Sequence, residues 1–278
     1  MTALSIKLLL DTATASVRDV VCSGECRHKS PAECAQSTFL VFPYRGVYVR
    51  HVGRHESVAE GNQVVLFNKG EDYRISHPVE GGDACLSVGV AEHWLEELAP
   101  KDEMRGGDEL ALRRQRRRID ARTQALVATL RYSLDRHVAE TLEAESLTLT
   151  LIRRALGERT SHTTRGSIGR QKLVDRAKLL LSSAPARRWT LGDIGAAIGV
   201  SPVYLTQVFQ QVEGMPLYRY QLRLRLARAL DLLGRYEDLT TLSMDLGFSS
   251  HSHFTDAFRR EFGHSPSEMR KILEAGSL

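Results

Sequence analysis

Cys22-Ser-Gly-Glu-Cys26-Arg-His28-Lys-Ser-Pro-Ala-Glu33-Cys34 gathers three thiols and an imidazole within 13 residues. Thiolates and imidazole suit a tetrahedral zinc ion or another soft metal, and Cys-x3-Cys is an allowed ligand spacing. Cys22, Cys26, His28 and Cys34 are therefore the candidate ligands, with Cys85 or His77 as donors that folding could add. Two other readings stay open. Cys22 and Cys85 could be small core residues on strands, or the thiols could form a redox pair.

A second constellation is a repeat. Ile194-Gly-Ala-Ala-Ile-Gly199-Val-Ser201-Pro-Val-Tyr-Leu205-Thr-Gln-Val-Phe209 returns as Leu242-Ser-Met-Asp-Leu-Gly247-Phe-Ser-Ser250-His-Ser-His-Phe254-Thr-Asp-Ala-Phe258. The turn glycines suit a left-handed position that ends a helix. Ser201 and Ser250 can cap the next helix, and Pro202 fits its first turn. Leu205 and Phe209, like Phe254 and Phe258, stand four apart and face inward. Each copy reads as a helix-turn-helix, about 191–213 and 239–262, whose second helix can enter a DNA major groove. One copy alone would be better read as an ordinary α-hairpin; two with matching positions are not. The helix Leu217 to Leu233 could hold two reading heads about one DNA turn apart, roughly 34 Å.

These constellations sit in different halves. All four cysteines lie within the first 85 residues. Residues 1–166 hold 23 Lys+Arg against 23 Asp+Glu, whereas residues 167–278 hold 15 against 11. The net charge of +4 therefore lies wholly in the last part. With 278 residues, 42% hydrophobic and 26% charged, the composition is that of two globular domains rather than a disordered chain. No apolar run approaches the roughly 20 residues of a membrane helix. The start lacks the basic head and cleavage site of an export signal. The cysteine usage fits the cytoplasm.

Runs such as 38–46, 47–52, 63–67, 73–77 and 85–90 are short and β-rich, predicting a small sandwich or barrel over about 15–92. Apolar spacing through about 108–157 predicts two amphipathic helices. Residues 158–169 are polar and small and read as a linker, and 170–278 reads as helix throughout. Arg113-Arg-Gln-Arg-Arg-Arg118 reads as the solvated start of a helix. At least one of Arg223, Arg225 and Arg228 is expected on a solvated face, as are His51 and His55.

The C-terminal part resembles the AraC/XylS family of bacterial transcription regulators over roughly 170–272. The resemblance rests on Arg223-Leu-Arg-Leu-Ala227-Arg-Ala-Leu-Asp-Leu-Leu233, Gly247-Phe-Ser-Ser, His253-Phe-Thr-Asp-Ala-Phe258-Arg-Arg-Glu-Phe-Gly263 and Ser265-Pro-Ser-Glu-Met-Arg270. The first half is similar only in style to that family's cupin-like effector domains, in Gly61-Asn-Gln-Val-Val-Leu-Phe-Asn-Lys-Gly70 and Tyr73-Arg-Ile-Ser-His-Pro78. The resemblance implies an α+β chain of two domains. Residues 1–157 would be a cupin-like β-barrel or sandwich with trailing helices, for sensing and dimerisation. Residues 170–278 would be an all-α double helix-turn-helix.

It also implies that the helices beginning at Pro202 and His251 read bases. The first would present Val203, Tyr204, Thr206, Gln207 and Gln210; the second His251, Ser252, His253, Thr255, Asp256 and Arg259. Gln207 can pair bidentately with adenine and Thr206 can meet a thymine methyl. Asp256 departs from the basic or neutral residue frequent there, and would repel phosphate. Implied partners are double-stranded DNA, RNA polymerase, a small-molecule or metal effector and a second copy of the chain.

Two alternatives come with the resemblance. A cupin-type metal enzyme would use several His and a Glu; His51, His55, Glu56 and Glu60 invite the comparison, but their spacing differs and Tyr73 stands where a His would be expected. A cysteine-zinc DNA-damage sensor would share Cys-x3-Cys but needs a Cys-x2-Cys pair that is absent. No Ser-His-Asp set, phosphate loop or paired carboxylates stand out, so no enzyme is expected.

Overall fold

In the computed structural model, residues 4–24, 27–105, 111–157 and 167–275 are described. The first half holds two sheets. One is ordered β1 (Leu4–Asp11), β2 (Ala15–Cys22), β9 (Asp83–Val90), β4 (Phe39–Gly46), β7 (Gln63–Phe67) and β10 (Arg116–Arg118). The other is ordered β3 (Glu33–Cys34), β8 (Asp72–Ser76), β5 (Tyr48–Val52) and β6 (His55–Ala59).

The alternation of side chains along a strand explains the three layers. Leu40, Phe42, Val64, Leu66, Leu86 and Val88 leave the larger sheet on one face and meet Leu95, Leu130, Leu151 and Ile152 of the covering helices. Val41, Val65, Phe67 and Cys85 leave it on the other and meet Tyr48 and Ala59 of the smaller sheet. A strand buried on both faces reads as a continuous apolar run, as 64–67 does. The covering helices are α1 (Glu92–Leu98), α2 (Ala121–Asp135) and α3 (Thr141–Leu156). This is the α+β arrangement expected, with a two-sheet β-domain and trailing helices.

Two strands fall outside the expected β span. β1 was hidden by Leu8-Leu9-Leu10, where a bulge between Leu8 and Leu10 breaks the two-residue period. β10 corrects the reading of 113–118. Arg116–Arg118 is an edge strand on β7, not a solvated helix start. Arg117 is 3% exposed and donates to the carbonyls of Leu156 and Gly157, closing the end of α3.

The second half is helical: α4 (Ile168–Ser183), α5 (Leu191–Ile198), α6 (Pro202–Glu213), α7 (Leu217–Leu232), α8 (Leu239–Asp245), α9 (His251–Phe262) and α10 (Pro266–Ala275). The end of the expected linker is already helix, since α4 starts at Ile168; residues 158–166 lie outside the described ones. Helix α7 belongs to two cores. Its Leu217, Tyr220 and Leu224 pack with Val174, Ile194, Leu205 and Phe209. Its Leu226, Ala229, Leu230 and Leu233 pack with Phe248, Phe254 and Phe258, and with Ala125 and Ala128 of α2.

Candidate nucleic-acid interface

Both copies of the repeat fold as helix-turn-helix units, by the chemistry their residues suggest. Gly199 and Gly247 sit at φ 76° and 79°, the left-handed region open to glycine. Ser201 accepts from the Tyr204 amide at 3.2 Å and Ser250 from the His253 amide at 3.1 Å. The entry helices are also capped. Thr190 and Asp193 form a reciprocal box before α5, and the Asp238 carboxylate accepts from the Thr240 and Thr241 amides before α8.

The outward faces follow from this packing. Leu205, Val208 and Phe209 turn inward on α6, which leaves Val203, Tyr204, Thr206, Gln207 and Gln210 exposed. On α9, Phe254, Ala257 and Phe258 turn inward and His251, Ser252, His253, Asp256 and Arg259 are exposed. Thr255 is the exception. It is half-buried, with its hydroxyl oxygen shielded from solvent, because it lies beside Phe254 at the rim of the core.

Two of these side chains are pre-set. The Thr206 hydroxyl donates back to the Pro202 carbonyl at 2.8 Å, so its polar capacity is used within the helix. The His253 ring lies against Phe248, centroids 5.5 Å apart, with Nδ1 3.1 Å from the Ser249 hydroxyl. A ring held in this way loses less freedom on meeting a base. Ser249 was not singled out in sequence, although its place in Gly247-Phe-Ser-Ser is the signal that could have found it. Tyr218, 71% exposed at the start of α7, is a further exposed group beyond the predicted set.

The arginines of α7 are structural. Arg223 is 7% exposed; it donates to the Ile119 carbonyl and pairs with Glu261 at 2.8 Å. Arg225 donates to the carbonyls of Pro185, Ala186, Arg187 and Gly247. Arg228 pairs with Asp231. The solvated face expected for at least one of them is replaced by a half-buried network, because α7 is enclosed by both halves.

The inner side of the helical module is tied to the β-domain through charge. Lys178 and Glu213 pair at 2.5 Å, and Arg116 of β10 meets Asp175 at 2.8 Å. Arg118 donates to the Glu213 carbonyl, and Tyr220 donates to buried Glu60. Burial pushes the Glu60 carboxyl up against the opposing pull of Lys178. Burial acts the same way on Glu213, but Lys178, Arg116 and Arg118 together hold it below its usual range. Beside this seam lies a cleft of about 440 Å³ whose lining includes His55, Gln63, Arg114 and Arg118 from the β-domain and Gln171 and Glu213 from α4 and α6.

The cysteines differ in burial. Cys85 is buried between the sheets, Cys22 is half-buried, and Cys34 and His28 are exposed; Cys26 lies outside the described residues. Among the described residues, the donors that gather are Cys22, His77 and Asp83. His51, expected at the surface, is 8% exposed and bonded to the Ser76 hydroxyl at 2.8 Å. Glu60 is fully buried, whereas His55 and Glu56 are exposed. His51 is covered because β5 runs between β6 and β8 inside its sheet.

A family profile described as a helix-turn-helix domain matches residues 194–272. A putative AraC-like transcription regulator of Streptomyces lividans is 29% identical over 153 residues, 53% of this chain and 50% of that protein. The transcriptional activator RhaS of Escherichia fergusonii is 41% identical over 72 residues, 26% of each chain. The matched part of the chain is similar to AraC-type transcription regulators. The probable transcriptional regulator LumQ of Photobacterium leiognathi is 30% identical over 164 residues, 56% of this chain and 62% of LumQ. Among solved structures, an AraC-type regulator from Chromobacterium violaceum is 30% identical, covering 38% of this chain and 96% of that one, with a TM-score of 0.36. The chain thus spans less than two thirds of the curated relatives it matches. The AraC-type match falls on α5 to α10, the part that holds both exposed helices.

Proposed function

We propose that this chain is a sequence-specific DNA-binding transcription regulator of the AraC type whose first half senses an effector. One observation carries the reading: two equally capped helices, α6 and α9, each turn an apolar face into a core and a polar face to solvent. Gln207 is the residue best suited to adenine, and Arg259 suits guanine or phosphate. The positive excess of the same module supports phosphate binding, which weakens with salt.

The effector, an organic molecule or a metal ion, acts by favouring one arrangement of the two halves over another. It must bind those arrangements unequally to shift anything. The seam supports this, since a ligand in the adjoining cleft would touch both halves. A second copy of the chain and RNA polymerase are the expected partners in the cytoplasm. The exposed Val138 and Leu142, at the entry of α3, support pairing through the trailing helices. No catalysis is assigned to the β-domain histidines, as His51 is engaged by Ser76 and Glu56.

The test is selection of a preferred duplex, followed by binding at several salt concentrations. Gln207→Ala should lose about 1–3 kcal/mol of discrimination at one base pair and leave the salt slope unchanged. Equal binding of all sequences by the wild-type chain would overturn the reading.

A further inference from the structure

The hairpin joining β8 to β9 brings His77 and Asp83 back to the end of β2, where Cys22 faces Asp83 in the strand register. His77 Nε2 stands 2.6 Å from Asp83 Oδ1, and both side chains are about 5% exposed. The sulfur of Cys22, a ring nitrogen of His77 and a carboxylate oxygen of Asp83 all lie within 4.8 Å of one another. The other ring nitrogen, Nδ1, is buried with no hydrogen-bond partner among the described residues.

The backbone around these residues is built for close approach. Gly24, Gly46 and Gly82 all have left-handed φ, at 73°, 70° and 66°. A Cβ on Gly82 would stand 2.1 Å from the Cys22 carbonyl, and one on Gly46 would stand 2.0 Å from the Gly82 carbonyl. The ends of β2, β4 and β9 therefore interlock, which fixes the distance between Cys22 and Asp83. Cys85 is not a competing ligand. It is buried between the sheets, among Val41, Phe67 and Tyr48.

We infer that Cys22, His77 and Asp83 form a binding site for a soft divalent cation, zinc being the best fit to a sulfur, nitrogen and oxygen set. Zinc bonds of about 2.0–2.3 Å set tetrahedral ligand atoms roughly 3.3–3.8 Å apart, so binding replaces the 2.6 Å His77–Asp83 bond with a bond from each to the metal, and these two atoms part slightly. A water molecule takes the fourth position. Binding releases the Cys22 thiol proton, and any proton on the ligating nitrogen of His77, to solvent.

The site also has an outlet. Val79, in the same hairpin, and Leu179 of α4 both pack against Val47, Val49 and Val58. Helix α4 is part of the first head's core, so ordering of the hairpin is felt there. This link rests on the sensing role proposed above; the metal site does not.

The test uses the full chain, reduced, loaded with zinc and desalted, with metal measured by elemental analysis. About one zinc per chain is expected. It should remain in Cys34→Ser and be lost in Cys22→Ser and His77→Gln, each with unchanged far-ultraviolet circular dichroism. Because His77→Gln could loosen the hairpin, cobalt loading of the wild type is read as well. A thiolate-to-cobalt absorption band is expected, and it should vanish in Cys22→Ser. No retained zinc and no such band, or zinc lost equally in Cys34→Ser, would overturn the site. Neither readout depends on DNA binding.

Discussion

The two reading heads share a sequence pattern but not a means of support. The first is nearly self-contained: Val174, Ile194, Leu205 and Phe209 come from α4 to α6, and it meets the β-domain through the Arg116–Asp175 pair, the Tyr220–Glu60 bond and Leu179 alone of its larger apolar side chains against Val47, Val49 and Val58. The second rests on the Phe248, Phe254, Phe258 and Phe262 succession, with ring centroids 4.6–5.7 Å apart, and is completed by Ala125 and Ala128 of α2. Apolar contact changes little with charge or salt, whereas a buried ionic cluster is sensitive to the loss of any one member. The comparison teaches that one fold motif can be held in two ways. The first head is placed to respond to charge at the seam, and the second to movement of α2.

The largest expected effect comes from the cores. Phe254→Ala and Phe209→Ala remove equally buried rings, and each should cost about 3–5 kcal/mol. Only Phe254→Ala should also raise amide exchange through 121–135. Equal protection of α2 in both variants would break the comparison.

Next come the turn glycines. Gly199→Ala meets open space and should cost only the left-handed strain, about 1–2 kcal/mol. Gly247→Ala places a Cβ 2.0 Å from the Ala186 carbonyl, so it must displace backbone and cost clearly more. Chemical denaturation of the two variants side by side measures the difference.

A smaller effect separates the outward faces. Asp256 puts a carboxylate on an α9 surface that otherwise offers His251, His253 and Arg259, while the α6 face is neutral. Asp256→Asn should tighten duplex binding a few-fold with a steeper salt dependence. Weaker binding on titration would mean that Asp256 accepts from a base.

The smallest effect is at the entry caps. Asp238, held to about 2 by the Thr240 and Thr241 amides, stabilises the folded state above the usual carboxylate pKa near 3.8. That contribution is lost as pH falls toward 2. Asp238→Asn should flatten the acid limb of stability in thermal melts between about pH 4 and 2. Asp193 is lowered by the same kind of bond, to Thr190, and its variant should act in the same direction.

The repeat was legible because each piece of it is local. A glycine, a capping serine and two inward residues four apart specify the turn without reference to the rest of the chain. The exposed face of α6 followed from the same spacing. What the sequence hid was pairing at long range. Three successive arginines at 116–118 resemble a helix surface until β7 supplies the partner strand and α4 and α6 supply Asp175 and Glu213. The grouping of Cys22 with His77 and Asp83 depends on the β2–β9 register, which no spacing within 22–34 reports. His51 was misjudged for the same reason: a polar residue in a strand is covered by neighbours far away in the chain.

The docking of α2 has a consequence for building hybrids. Ala125 and Ala128 are small where α7 and α9 press against them, and Gln124 donates to the Gly61 carbonyl from the same helix. A chimera that joins this first half to another regulator's reading module within 158–166 would set α2 against a surface it was not shaped for. A crossover before Asp120 would keep α2 with the second head but part Leu130, Leu151 and Ile152 from Leu40, Phe42 and Leu66, so a hybrid must instead match the α7 and α9 surface that Ala125 and Ala128 meet.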